Sequence, residues 1–166
     1  LLADGAVFPR DKACGDGLTP RAVAELQNLK LDHVLQGGPV NNGLRGYGFG
    51  RALVLPWNGP HLPKHGSAIR RTVLDAALRD AAIDAGATGL DGHRAVDVEL
   101  TGGRLTGVVL RSAERTVTVQ AQHVVVADGG KSHLGRLLGR QWHQETVYGV
   151  ASRAYATSTN ADDPWI

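Results

Sequence analysis

Arg10-Asp-Lys-Ala-Cys-Gly-Asp-Gly-Leu-Thr-Pro-Arg21 and Val124-Val-Val-Ala-Asp-Gly-Gly-Lys-Ser132 are the two stretches that decide how this chain is read. Each leads through Gly and Asp into a helix start, the kind of junction at which α/β proteins hold a phosphate or a ribose. Thr19-Pro20 sets a capping hydroxyl before a proline at the first helical position. Ala22, Val23, Leu26 and Leu29 follow at three-to-four spacing, which predicts an amphipathic helix to about Leu29. Val124–Ala127 is continuously apolar and predicts a strand covered on both faces, followed by a short helix over Leu134–Leu138.

Other elements follow from pattern. Leu1 to Asp4 reads as the end of a buried strand with a carboxylate at its tip, and Gly5 to Gly17 as a polar loop. Residues 37–59 are rich in Gly and predict a loop with one or two short strands around Leu53-Val-Leu-Pro56. Ile69 to Ala85 is the clearest helix, with Val73, Leu74, Ala77, Leu78, Ala81 and Ala82 as its apolar stripe and Gly86 as its C-cap. Val96–Leu100, Leu105–Leu110 and Thr116–Ala127 predict three β segments, turned at Thr101-Gly102-Gly103 and Ser112-Ala113-Glu114.

Composition narrows the function classes. The 166 residues are 42% hydrophobic and 20% charged, which is ordinary for a folded domain and argues against disorder. Net charge is +2 and the 14 Arg are scattered, so electrostatics gives a nucleic-acid partner no support. No stretch approaches the roughly 20 apolar residues that span a bilayer, and no signal-peptide pattern is present. One cysteine, Cys14, excludes an internal disulfide and fits a reducing cytoplasm. The absence of Met, the opening on Leu1-Leu2-Ala3-Asp4 and the close on Asp162-Asp163-Pro164-Trp165-Ile166 predict an internal piece of a longer protein.

The two stretches together resemble the geranylgeranyl reductase family of FAD-dependent oxidoreductases, relatives of the flavoprotein aromatic hydroxylases. The family's Arg-x-Lys-x-Cys-Gly-Asp-Gly-Leu-Thr-Pro-Arg run is matched at each position from Arg10 to Arg21. The resemblance implies an α/β fold: an incomplete FAD-binding, Rossmann-like domain of the glutathione reductase type, with an antiparallel three-stranded meander and the start of a substrate-domain sheet. Residues 1–140 would be the partial FAD-binding domain and 141–166 the start of the substrate region, with Tyr148 to Tyr155 as its first strand.

The same resemblance implies a set of cofactor-binding residues. Asp4 would accept hydrogen bonds from the adenosine ribose, although Asp also ends many strands for turn chemistry alone. Arg10 and Lys12 would lie near the nucleotide, and Cys14, Gly15, Asp16 and Gly17 near the isoalloxazine ring. Gly15 and Gly17 would let backbone approach a flat ring. Cys14 would line the flavin pocket; no His lies in its loop to make it a nucleophile. Asp128-Gly129 would sit by the pyrophosphate and ribitol, with Gly130-Lys131 departing from the family pattern. Arg71 would approach the cofactor and the Val96 backbone the adenine, though both also suit plain surface and core.

Other motifs are weaker. Gly130-Lys131-Ser132 mimics the end of an ATP-type phosphate loop, but the Gly required five residues earlier is Val125. Gly46-Tyr-Gly-Phe-Gly50 has Arg51 where a dinucleotide fingerprint needs Gly. His61 and His65 are separated by Pro63 and joined by no carboxylate or thiol, so no metal site is expected.

The expected parent reduces isolated C=C bonds of an isoprenoid chain, on a geranylgeranyl lipid or a menaquinone side chain. FAD would be its cofactor, with NADPH or a small redox protein as donor. It would be cytoplasmic with peripheral contact at the membrane surface. The family's Gly-x-Gly-x-x-Gly segment is not in these residues, so this chain alone is expected to bind FAD weakly or not at all and to be inactive. A complementary chain could restore it if the enzyme is split. Alternative readings are a self-sufficient flavin-binding or hydroxylase-like module and an ATP-type phosphate binder using Lys131.

Overall fold

The computed structural model describes residues 1–141, 145, 147, 149–160 and 162–166. Along the chain run β1 (Leu2–Ala3), β2 (Gly17–Leu18), α1 (Pro20–Asn28), a 3-10 turn (Asp32–Leu35), β3 (Val40–Asn41), β4 (Gly43–Gly48), β5 (Arg51–Pro56) and β6 (Gly66–Ala68). They are followed by α2 (Arg71–Asp84), β7 (Gly89–Leu90), β8 (Arg94–Thr101), β9 (Arg104–Arg111), β10 (Thr116–Gln120) and α3 (His133–Leu137). Two compact units result, one of Leu1–Phe8 with Arg79–Gly149 and one of Pro9–Leu78 with Val150–Ile166.

In the first unit β1 pairs with β7 in parallel, Leu2 opposite Gly89 and Ala3 opposite Leu90. The pairing continues past the strand ends, where the His93 N–H donates to the Asp4 carbonyl and the Gly92 N–H to that of Ala6. β8, β9 and β10 form the antiparallel meander that the alternating apolar pattern predicts, with bulges in β8 between Ala95 and Asp97 and between Glu99 and Leu100. Val108, Leu110 and Leu134 make the core, with Leu90, Ala95, Val98, Val117, Val119 and Val124 packed on it.

The second unit is built on a small antiparallel sheet in which β6 lies between β2 and β3. Gly66 sits where only glycine fits: a β-carbon there would fall 2.3 Å from the Leu18 carbonyl and 2.5 Å from Asn41 Oδ1. α1 buries Pro20, Val23 and Leu26. β4 and β5 form a hairpin with Leu44 facing Leu55 and Gly46 facing Leu53, and Phe49 stands fully exposed at its tip. The chain end runs beside β4, with the Arg45 N–H donating to the Ile166 carbonyl and the Ile166 N–H to that of Gly43.

Several expectations are corrected. Val124–Ala127 is not a strand, and Val125 is 90% exposed; the run is apolar, but no described strand offers its main chain a ladder. β10 accordingly stops at Gln120. On α2 the stripe is interrupted, because Val73 and Leu78 are exposed while Asp75 is buried among arginines. Leu29 is the exposed C-cap of α1 rather than part of its buried face, and Thr19 caps by position only, with no side-chain hydrogen bond. Gly149–Tyr155 forms no strand, and Tyr148 lies outside the described residues.

Candidate cofactor site

Arg10 to Gly17 is a loop in the second unit, and its charges are organised by a residue the sequence did not single out. Arg10 Nη1 donates to Asp75 Oδ2 at 2.7 Å, while Arg71 Nε and Nη2 grip both oxygens of the same carboxylate at 2.7 and 2.8 Å. Asp75 is buried, so two guanidiniums share one desolvated charge. The Arg71-x-x-x-Asp75 spacing on α2 was the available signal.

Arg71 also reaches the Cys14 thiol. The Asp16 main-chain N–H and then the Arg71 guanidinium hold that thiol below its ordinary pKa. Cys14 is half-buried. At Gly15 a β-carbon would meet nothing within 4 Å, so the turn offers bare backbone to open space, and at Gly17 the nearest atom is in the Ile166 side chain at 3.7 Å. Lys12 is exposed beside them.

Asp16 is buried with φ +60°, an uncommon conformation for any residue but glycine. Its Oδ2 accepts the Tyr155 hydroxyl at 2.6 Å and lies 3.7 Å from Arg153 Nη1. Oδ1 is buried with no hydrogen-bond partner among the described residues. Arg153 also pairs with Asp11, and the guanidiniums of Arg70 and Arg153 lie 5.2 and 4.4 Å from the Tyr155 ring centroid. Tyr155 and Arg153 were missed because 139 residues separate Tyr155 from Asp16.

Asp4, Val96, Asp128 and Gly129 belong to the first unit. Asp4 stands at the tip of β1, where its Oδ1 accepts the Ala6 N–H at 2.9 Å. Val96 lies at the β8 bulge, its carbonyl 3.3 Å from His133 Nε2, a hydrogen bond when that nitrogen carries the proton. Asp128 Oδ2 accepts the Leu134 N–H at 3.2 Å and Ser132 Oγ the Gly135 N–H at 2.7 Å, so both residues cap α3. Burial pushes the Asp128 carboxyl up, but the Ser132 hydroxyl and the Leu134 N–H outweigh it and hold the pKa below the usual carboxylate value. Gly129 has φ +90°, which its place in the turn requires of a residue without a β-carbon. Lys131 is exposed in that turn.

The residues of the second unit suit a flavin nucleotide: an open glycine turn, a buried carboxylate oxygen without a partner, and basic side chains beside them. A mixed α/β architecture with such a turn is compatible with a flavoprotein domain. The chain belongs to the FAD binding domain family, whose model matches residues 18–162, and FAD is the cofactor. The menaquinone reductase of Mycolicibacterium smegmatis is 50% identical over 167 residues, covering 100% of this chain and 40% of that protein. That of Mycobacterium tuberculosis strain H37Rv is 49% identical over 166 residues with the same shares. The chain thus spans about two-fifths of the length of these relatives. The crystal structure of a geranylgeranyl bacteriochlorophyll reductase-like protein from Thermoplasma acidophilum superimposes with a TM-score of 0.72 at 25% identity, covering 85% of this chain and 36% of that one. The flavin-dependent halogenase CmlS shares the fold, at TM-score 0.72 and 23% identity over 82% of this chain and 26% of that one.

Proposed function

We propose that this chain is part of an FAD-dependent oxidoreductase that reduces a C=C bond in the isoprenoid side chain of a menaquinone. The observation that carries the reading is identity of about half across all of these residues with two mycobacterial menaquinone reductases. Bound FAD would supply two-electron reduction chemistry that no amino-acid side chain provides.

The chain's own residues would bind and orient. Arg10, Lys12 and Arg71 set positive charge beside the open backbone of Gly15, and Asp75 fixes the direction of both arginines. Cys14 holds its proton loosely at Sγ along the same turn. Asp4, Val96 and Asp128-Gly129 are proposed for the adenosine, pyrophosphate and ribitol portions. NADPH or a small redox protein is the proposed donor. Among the described residues no helix is long and apolar enough to cross a membrane. A menaquinone substrate would call for peripheral contact at the membrane surface. By itself the chain is expected to bind FAD weakly and not to turn over.

The test uses a chimera in which these 166 residues replace the matched segment of the M. smegmatis enzyme. Incubated with menaquinone and a reductant, it should yield product heavier by two hydrogens with the quinone ring unchanged, read by mass spectrometry. A folded, FAD-loaded chimera that leaves the side chain untouched would refute the substrate assignment.

A further inference from the structure

We propose that Tyr155 and Arg153 are positioning residues that lock the Cys14–Gly17 turn, holding Asp16 in the left-handed conformation from which its main-chain N–H faces the Cys14 sulfur. A non-glycine residue in that conformation is strained and persists where its surroundings hold it. Asp16 is held through its carbonyl and through one of its two carboxylate oxygens. Its carbonyl accepts the Ile69 N–H at 2.9 Å, and its Oδ2 accepts the Tyr155 hydroxyl at 2.6 Å. Its own N–H is the largest influence holding the Cys14 thiol below its ordinary pKa.

Arg153 completes the lock. One arm lies 3.7 Å from Asp16 Oδ2 and donates to the Tyr155 oxygen, while the other pairs with Asp11 at the start of the loop. Arg70 and Arg153 both lie against the Tyr155 ring, which restricts where the hydroxyl can point. The Tyr155 phenol has its pKa raised, first by donating to Asp16 and then by burial, so at neutral pH it remains a donor.

The consequence is chemical. The charged groups that face the thiol are Arg71 from α2, which favours the thiolate, and the Asp16 carboxylate, which opposes it. Arg10 and Asp75 stand behind Arg71, and Lys12 precedes the thiol on the loop. By fixing the Asp16 N–H on Sγ and partly neutralising the Asp16 carboxylate, the lock tips the balance toward thiolate. Any bearing on a flavin at this turn rests on the function proposed above, whereas the turn's geometry does not.

Cys14 is the only cysteine, so the pH profile of its alkylation by iodoacetamide reads this turn alone in the intact chain. The wild-type midpoint should lie below the ordinary thiol value of 9.0. Tyr155→Phe, which removes one oxygen, and Arg153→Gln should each raise that midpoint, with Arg153→Lys recovering part of the loss. For a rise of about one unit, the loss of thiolate outweighs its greater nucleophilicity, and alkylation near neutral pH slows about threefold. Circular dichroism melts identify the folded variants, and two independent substitutions guard against one that does not fold. A midpoint unchanged in the folded variants, or one that moves only in Arg71→Gln, would overturn the proposal by leaving Arg71 in sole control. FAD titration of the chimera carrying the same substitutions separates the two readings: a shifted midpoint in the chain, beside a folded chimera that ignores FAD, keeps the lock and removes the flavin role.

Discussion

At the scale of single residues the second unit depends on carboxylates held by arginines. Asp75→Asn leaves Arg10 and Arg71 facing each other around a neutral group in a buried place. Breaking a buried pair from one side costs about 3 kcal/mol, less where the partners keep some water, so urea denaturation should show a loss of roughly 2 kcal/mol; a loss below about 0.5 kcal/mol would mean that the pairing is idle. Two titrations carry signs. Asp128 has its pKa lowered, so its contribution is complete above the ordinary carboxylate value and is lost as pH falls through the lowered one. Tyr155 has its pKa raised, so its contribution is complete below 10.0 and is lost as pH rises through the raised value. Melting temperature against pH should therefore lose an acid component in Asp128→Asn and an alkaline one in Tyr155→Phe. The Cys-Gly-Asp-Gly run was legible because its residues are adjacent. Asp75 and Tyr155 were not, because their partners in the loop are 65 and 139 positions away.

At the scale of elements, periodicity carried well where packing is local. α1, α2 and the β8–β10 meander lie where the apolar spacing put them, because a helix and a hairpin ladder satisfy their own main chains. Val124–Ala127 failed for the complementary reason: an apolar run signals a preference for burial, but a strand also needs a neighbour, which no local window contains. Of the β4–β5 hairpin the sequence signalled β5, as a short strand around Leu53-Val-Leu-Pro56, but not its pairing with β4, where Gly46 and Gly48 dilute the alternation. The hairpin's Tyr47, Phe49 and Leu53 are 76%, 107% and 61% exposed. Phe49→Ser with Leu53→Thr should change unfolding free energy by less than about 0.5 kcal/mol, while dye binding to exposed apolar surface should fall. A large loss of stability would show that these side chains are buried in solution. Gly66→Ala should behave oppositely, because its β-carbon has no room beside the Leu18 carbonyl.

At the scale of the whole molecule, the two Gly-Asp junctions read together led to the right family. The model for the FAD binding domain covers residues 18–162, and the two mycobacterial relatives match from one end of the chain to the other. What the chain spans is two-fifths of those relatives, and a flavin site depends on all of its walls. Weak FAD affinity in the isolated chain therefore agrees with the account, and recovered affinity in a complete polypeptide is required by it. The deciding measurement is a flavin-fluorescence titration of the chimera with the M. smegmatis enzyme, run beside the isolated 166 residues and with ATP as a control. The account predicts saturable FAD binding by the chimera, weakened by Asp128→Ala and by Arg71→Gln and untouched by Lys131→Ala. A folded chimera that ignores FAD, or one that takes ATP through Lys131, would contradict it.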